Sequence, residues 1–192
     1  MRKLPIVLSL LSCLPCFAQS PSAPAPAAPA PDWRARVSEA MPLMGHRNWI
    51  LIVDSAYPLQ AGPGIGTVET GAGQLEVLRH VLLSIDRSIH VRPVIQMDTE
   101  LPFVPDDDAP GVSAYRAEIA DLLRAYPLEP VPHDRIIANI EEASKHFNIL
   151  VLKTTMTVPY TSVFVRLDCK YWSAAAEQRL RARMAASPQP AH

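Results

Sequence analysis

Two rhythms of apolar residues run through the chain and mark its elements. Ile50, Leu51, Ile52 and Val53 form a continuous apolar, β-branched run, too short for a surface helix and too apolar for a strand with one wet face. The run predicts a strand buried on both faces. Leu75, Leu78, Leu82 and Ile85 recur at helical spacing and predict an amphipathic helix over 74–85. Ile89, Val91 and Ile95 alternate with His90, Arg92 and Gln96, which predicts a strand over 89–96, with Pro93 marking an edge or a bulge. Tyr115, Ile119, Leu122 and Leu123 give the inner face of a helix over 112–125. Ile136, Ile137, Ile140 and Ala143 give that of another, with Asp134 as its cap. Strands follow over 147–154 and 160–167. A short helix over 33–40, capped by Asp32 and limited by Pro42, precedes these elements, and an Ala/Arg-rich helix runs from after Trp172 to about residue 186. Strands separated by helices imply a layered α/β domain with a mixed sheet.

The stretches between these elements are less regular. Glycines cluster over 62–66 and 71–73, but their spacing matches neither G-x-G-x-x-G nor a P-loop, and a flexible connection is expected. Asp98, Glu100 and the run 106–108 lack the spacing of a calcium loop and read as a solvated acidic loop that partly caps the next helix. Residues 126–132 read as a proline-rich connector. At the start of the chain, a basic Met1-Arg2-Lys3, an apolar 4–14 and the small residues around Ala18 have the form of a secretory signal peptide over 1–18. A Pro/Ala linker follows over 19–32, and a single domain over 33–187. The expected location is therefore periplasmic or secreted. Leu10-Leu11-Ser12-Cys13 also resembles a lipobox, which makes a lipid anchor on Cys13 the less favoured alternative. The apolar run, broken by Pro5 and Pro15, is too short for a membrane span.

Composition narrows the partners. A net charge of −1 over 192 residues, with no basic stripe, gives no electrostatic case for nucleic acid. Two of the three cysteines lie in the leader, so Cys169 is a lone thiol, expected as a small buried core residue, and no disulfide framework is available.

Candidate chemistry is confined to strand ends and helix starts. There is no G-x-S-x-G and no closely spaced histidine pair for zinc. His80, His90 and His146 read as packed or structural. His46, Asp54, His133 and the run Tyr160-Thr161-Ser162 remain: two imidazoles, a carboxylate, a phenol and two hydroxyls. Such a set suits a polyhydroxylated neutral ligand and can move protons with no cofactor.

The order of these groups carries further meaning. Gly45-His46, an apolar strand and Asp54-Ser55-Ala56-Tyr57-Pro58, followed by Pro132-His133-Asp134 and Pro159-Tyr160-Thr161-Ser162-Val163, resemble the family of D-ribose pyranase and L-fucose mutarotase. The resemblance runs in order from about residue 39 to 167. It implies a three-layer α/β/α fold with a mixed, mostly parallel sheet. It also implies ring-shaped homo-oligomers, commonly decamers, with sugar sites between subunits, and a cofactor-independent isomerase acting on a free monosaccharide. His46 matches the family's acid/base histidine, and Asp54, His133, Tyr160, Thr161 and Ser162 fall in its substrate-contacting segments. Two departures stand out. Asn48 occupies a position where the family often has an aspartate, and an asparagine cannot hold an imidazolium by charge. Ser162 replaces an asparagine, with a shorter reach and one donor fewer. A non-catalytic sugar-binding module of the same fold is the alternative, and a metal-dependent hydrolase using Asp98 or Glu100 a more distant one. Eight residues of straight strand span roughly 26 Å, so His46 and Asp54 are expected to meet one sugar only through chain reversal or between two subunits.

Overall fold

A computed structural model describes residues 32–186; the predicted leader and most of the predicted linker lie outside these residues. Among these residues, five α-helices and six strands follow in the order α1 (Trp33–Ala40), β1 (Trp49–Val53), β2 (Ile65–Glu69), α2 (Gln74–Arg87), β3 (Val91–Asp98), α3 (Val112–Leu123), β4 (Leu128–Val131), α4 (His133–Ser144), β5 (Ile149–Lys153), β6 (Val163–Cys169) and α5 (Ala174–Ala186). The six strands form one sheet in the order β2-β5-β1-β6-β3-β4. β1 and β2 pair parallel with β5, and β3 pairs parallel with β4. β6 is antiparallel to both β1 and β3. Five strands therefore run one way and β6 runs against them, the mixed, mostly parallel sheet implied by the resemblance.

The period-2 geometry of a strand sends alternate side chains to opposite faces, and β1 shows why its whole run is apolar. Ile50 and Ile52 join a core with α1, α2 and α3, while Trp49, Leu51 and Val53 join a second core with Ile136 and Ile140 of α4. All five β1 residues are buried. At about 1.5–3 kcal/mol for each large apolar side chain removed from water, this strand is the axis of both layers. β1 lies between β5 and β6, so these two strands, successive in sequence, never touch.

Several expectations need correction. The glycine-rich stretch contains β2, an edge strand whose exposed, glycine-bearing residues hide the usual apolar alternation. Gly64 leads into it because a Cβ there would lie 2.7 Å from the Phe147 carbonyl oxygen. The proline-rich connector contains β4, the other edge, where Pro130 is tolerated. Pro93 sits inside β3 rather than on an outer strand. Ile95, two residues on, donates its N–H to the Pro127 carbonyl at 3.1 Å, so the nitrogen of Pro93 faces the same side, just before β4 begins. The missing donor therefore falls where β3 is locally an edge. Cys169 ends β6 half-buried, not in the core.

Candidate functional site

The parallel strands β1, β3, β4 and β5 and the start of β6 bring their ends to one edge of the sheet, where open α/β sheets present ligand-binding groups. Four of the residues singled out from sequence meet there. His133 opens α4, and its Nδ1 lies 3.1 Å from Oδ1 of Asp98, the last residue of β3. The Tyr160 ring stands edge-on to the His133 ring at 5.5 Å between centroids. Beside them Ser162 Oγ donates to Asp54 Oδ2 at 2.9 Å and accepts the Asp54 N–H at 3.3 Å. Asp54 Oδ1 also accepts the Ala56 N–H at 2.9 Å, so the carboxylate caps its own turn.

Asp98 is the group that sequence reasoning placed wrongly. It reads as part of a solvated acidic loop, yet its side chain is fully buried, because β3 continues two residues beyond the predicted end at Gln96. Burial pushes its carboxyl up to about 6; the hydrogen bond from His133 opposes the shift, and the charges of Glu100 and Asp54 add to it. Its Oδ2 has no hydrogen-bond partner. A buried carboxyl raised in this way beside an imidazole marks a candidate site for proton transfer. Glu100 is bound too: it accepts the His133 N–H through both carboxylate oxygens, at 3.1 and 3.2 Å. It thereby fills the capping role expected of Asp134, which lies in the first turn of α4 instead.

Tyr160 does not start the last strand. It follows Pro159 with φ of 59°, a left-handed conformation uncommon for a tyrosine, and β6 begins only at Val163. The segment before β6 is held from beneath. Gln74, buried at the start of α2, donates to the carbonyls of Ile52 at 3.0 Å and Thr161 at 2.9 Å and accepts the Thr154 hydroxyl at 2.6 Å. Tyr115 of α3 donates to the same Thr161 carbonyl at 2.8 Å. Thr161 is itself fully buried, with its hydroxyl on the Val158 carbonyl at 2.8 Å, so it shapes the loop and does not face solvent.

His46 lies at the opposite edge, before β1 begins. Its Nδ1 is 2.9 Å from Oδ1 of Asp168, near the end of β6. Arg92, near the start of β3, grips Oδ2 of the same carboxylate through Nε at 3.1 Å and Nη2 at 2.6 Å. These groups line an open cleft of about 800 Å³, with Trp172 and Glu177 on its far wall. Burial disfavours the charge on Asp168, but the Arg92 guanidinium, the Cys169 N–H and His46 outweigh it and hold the carboxyl below its usual range. The predicted site is thus divided. Within one chain the sheet brings Asp54, His133, Tyr160 and Ser162 together and keeps His46 away from them.

No family model and no curated protein sequence matches this chain. Solved structures do: RbsD of Bacillus subtilis, complexed with D-ribose, superimposes with a TM-score of 0.51 at 13% identity, over 69% of this chain and 90% of that one. The chain has the RbsD fold. A fucose mutarotase from Streptococcus pneumoniae in complex with L-fucose aligns with a TM-score of 0.45 at 20% identity, over 67% of this chain and 87% of that one. FucU from Bifidobacterium longum aligns with 0.45 at 16% identity, over 69% and 92%. At these identities the likeness concerns the architecture, the RbsD fold that the order of the sequence motifs implies.

Proposed function

We propose that this protein interconverts the cyclic forms of a free monosaccharide by acid/base ring opening and closure, without a cofactor. The observation that carries the reading is the cluster at the sheet edge. His133 is backed by the buried Asp98 and flanked by the Tyr160 phenol, with the Asp54 carboxylate alongside. The fold supports it, since RbsD carries D-ribose. In the reaction an acid protonates the ring oxygen while a base removes the anomeric hydroxyl proton. The C1–O bond of the ring breaks, and an open-chain carbonyl forms that recloses in another form. His46 and His133 supply the two proton carriers, and Asp54, Tyr160 and Ser162 orient hydroxyls. Because His46 sits at the far edge of its own sheet, the site joins His46 of one copy to the cluster of a second, and the active species is a homo-oligomer. With the signal-peptide reading of the leader, the exchange takes place in the periplasm or outside the cell.

Saturation-transfer NMR of anomer exchange, run over a panel of pentoses and deoxyhexoses, tests this. Positioned proton transfer contributes about 10²–10⁴-fold, so His46→Ala and His133→Ala each lose exchange on that scale. Mixing the two inactive variants under subunit exchange restores part of the rate, because some sites then combine two intact halves. Equal rates for wild type and both variants with every sugar would overturn the catalytic reading. Calorimetric sugar binding beside those equal rates would select a binding module of the same fold.

A further inference from the structure

The geometry points to Asp168 as the positioning residue of His46, a carboxylate delivered by the last strand of the sheet that fixes which ring nitrogen carries the proton. The inference rests on the proton-transfer role proposed for His46, and it begins with Asn48. That asparagine stands two residues after His46, yet it is engaged elsewhere. Its Oδ1 accepts the Gly45 N–H at 2.7 Å, and its Nδ2 donates to the Asn148 carbonyl at 3.2 Å. Asn48 closes the turn that carries His46 and does not touch the ring.

The backbone then sets His46 against β6. Arg47, in the left-handed region at φ of 75°, donates its N–H to the Leu167 carbonyl at 2.9 Å, and the Leu167 N–H donates to the Asn48 carbonyl at 2.9 Å. The two bonds set consecutive residues, Arg47 and Asn48, against the single residue Leu167, so the chain bulges beyond the β1–β6 ladder and the register slips by one, which brings His46 beside Asp168. Asp168 is fixed independently of the histidine. Oδ2 is held by two nitrogens of Arg92, and Oδ1 accepts the Cys169 N–H at 2.8 Å as well as facing His46 Nδ1. A carboxylate in this setting is ionised and accepts only. With Nδ1 2.9 Å from that carboxylate, its charge favours the proton of the neutral ring on Nδ1 and leaves the lone pair on Nε2. Asp168 touches no reacting atom in this scheme. It acts through His46, by holding the tautomer and ring orientation and by favouring the imidazolium formed when Nε2 takes a proton, while Arg92 holds Asp168 in place.

The titratable and charged groups around His46 are Asp168 and Cys169 of β6, Arg92 of β3, its neighbour Arg47, and Tyr171 and Glu177 from the tail. Asp168 is the carboxylate among them in contact with the ring.

Long-range ¹H–¹⁵N correlation NMR of the full chain reads the tautomer directly. At pH 8 wild-type His46 shows a protonated Nδ1 and a bare Nε2; a protonated Nε2 in the wild type would overturn the inference with no variant needed. In Asp168→Asn the His46 resonances move to a tautomer mixture, and unchanged nitrogen shifts in that variant would also overturn it. Where anomer exchange is measurable, Asp168→Asn lowers kcat by roughly 10²-fold, at the lower end of the contribution of positioned acid/base groups, and leaves KM nearly unchanged. Asp168→Glu restores part of the rate. The NMR readout stands without activity: absence of exchange in the wild type counts against the mutarotase reading, and the tautomer still decides the role of Asp168.

Discussion

The two edges of the sheet hold the same pair of groups in opposite settings. At one edge His133 meets Asp98 at 3.1 Å; at the other His46 meets Asp168 at 2.9 Å. Asp98 is fully buried, the basic group against it among the described residues is the histidine, and one of its oxygens has no partner among them. Asp168 is partly exposed and is gripped by a guanidinium and a backbone N–H. Burial without a counter-charge raises the carboxyl of Asp98, whereas Arg92 outweighs burial and lowers that of Asp168. The carboxyl of the first pair takes up a proton more readily than a free one. The second keeps a fixed negative charge and passes its influence to the ring. Distance alone does not assign a role to a His–Asp pair; the surroundings of the carboxylate do.

That contrast can be broken in order of expected effect. The largest change comes from the histidines themselves, whose alanine variants lose anomer exchange by about 10²–10⁴-fold; a deficit at one edge only would mean that a single pair does the chemistry. Next is Gln74→Leu, which strips hydrogen bonds from the Ile52 and Thr161 carbonyls and the Thr154 hydroxyl beneath the Tyr160 loop. The Thr161 carbonyl keeps the Tyr115 hydroxyl and the Thr154 hydroxyl keeps the Val53 carbonyl, so the cost is about 1 kcal/mol for each hydrogen bond lost, read as a lower midpoint in urea unfolding. No shift of the midpoint would mean that water or a rearranged loop satisfies them.

Asp98→Asn comes third. Because the folded-state pKa of Asp98 is raised from 3.8 to about 6, the folded protein binds a proton that the unfolded chain does not between those values. Stability therefore increases as pH falls from about 6 towards 4, by at most about 3 kcal/mol. The asparagine variant flattens that slope, and an unchanged slope would remove Asp98 as its source. Asp168→Asn has the smallest effect on stability. With its pKa lowered, Asp168 contributes stability that is present above the unfolded-state value and is lost as pH falls below it. Since Arg92 is partly in water, the loss at neutral pH is below about 1 kcal/mol. A variant nearly as stable as wild type but altered in the His46 tautomer is the clearest separation of the two pairs.

Much of this architecture was legible in the chain. The doubly buried strand at 50–53, the helices with apolar faces at 75–85, 115–123 and 136–143, and a mixed sheet followed from side-chain periodicity, because burial on a given face requires apolar residues at a given spacing. The same reasoning missed β2 and β4, since edge strands contribute little to either core and keep glycine, proline and charge. It also separated Asp98 from His133, which it treated as unrelated groups. Which residue types are available for proton transfer, and in what order, is a matter of the chain alone. Tertiary structure alone decided their partners. His46 and Asp168 lie far apart in sequence and become neighbours only because β6 runs antiparallel beside β1. Asp98 and His133 meet because β3 and β4 end in register and α4 starts where β4 stops. Strand order and direction are set by the summed burial of two cores, a property of the whole chain that no local pattern contains.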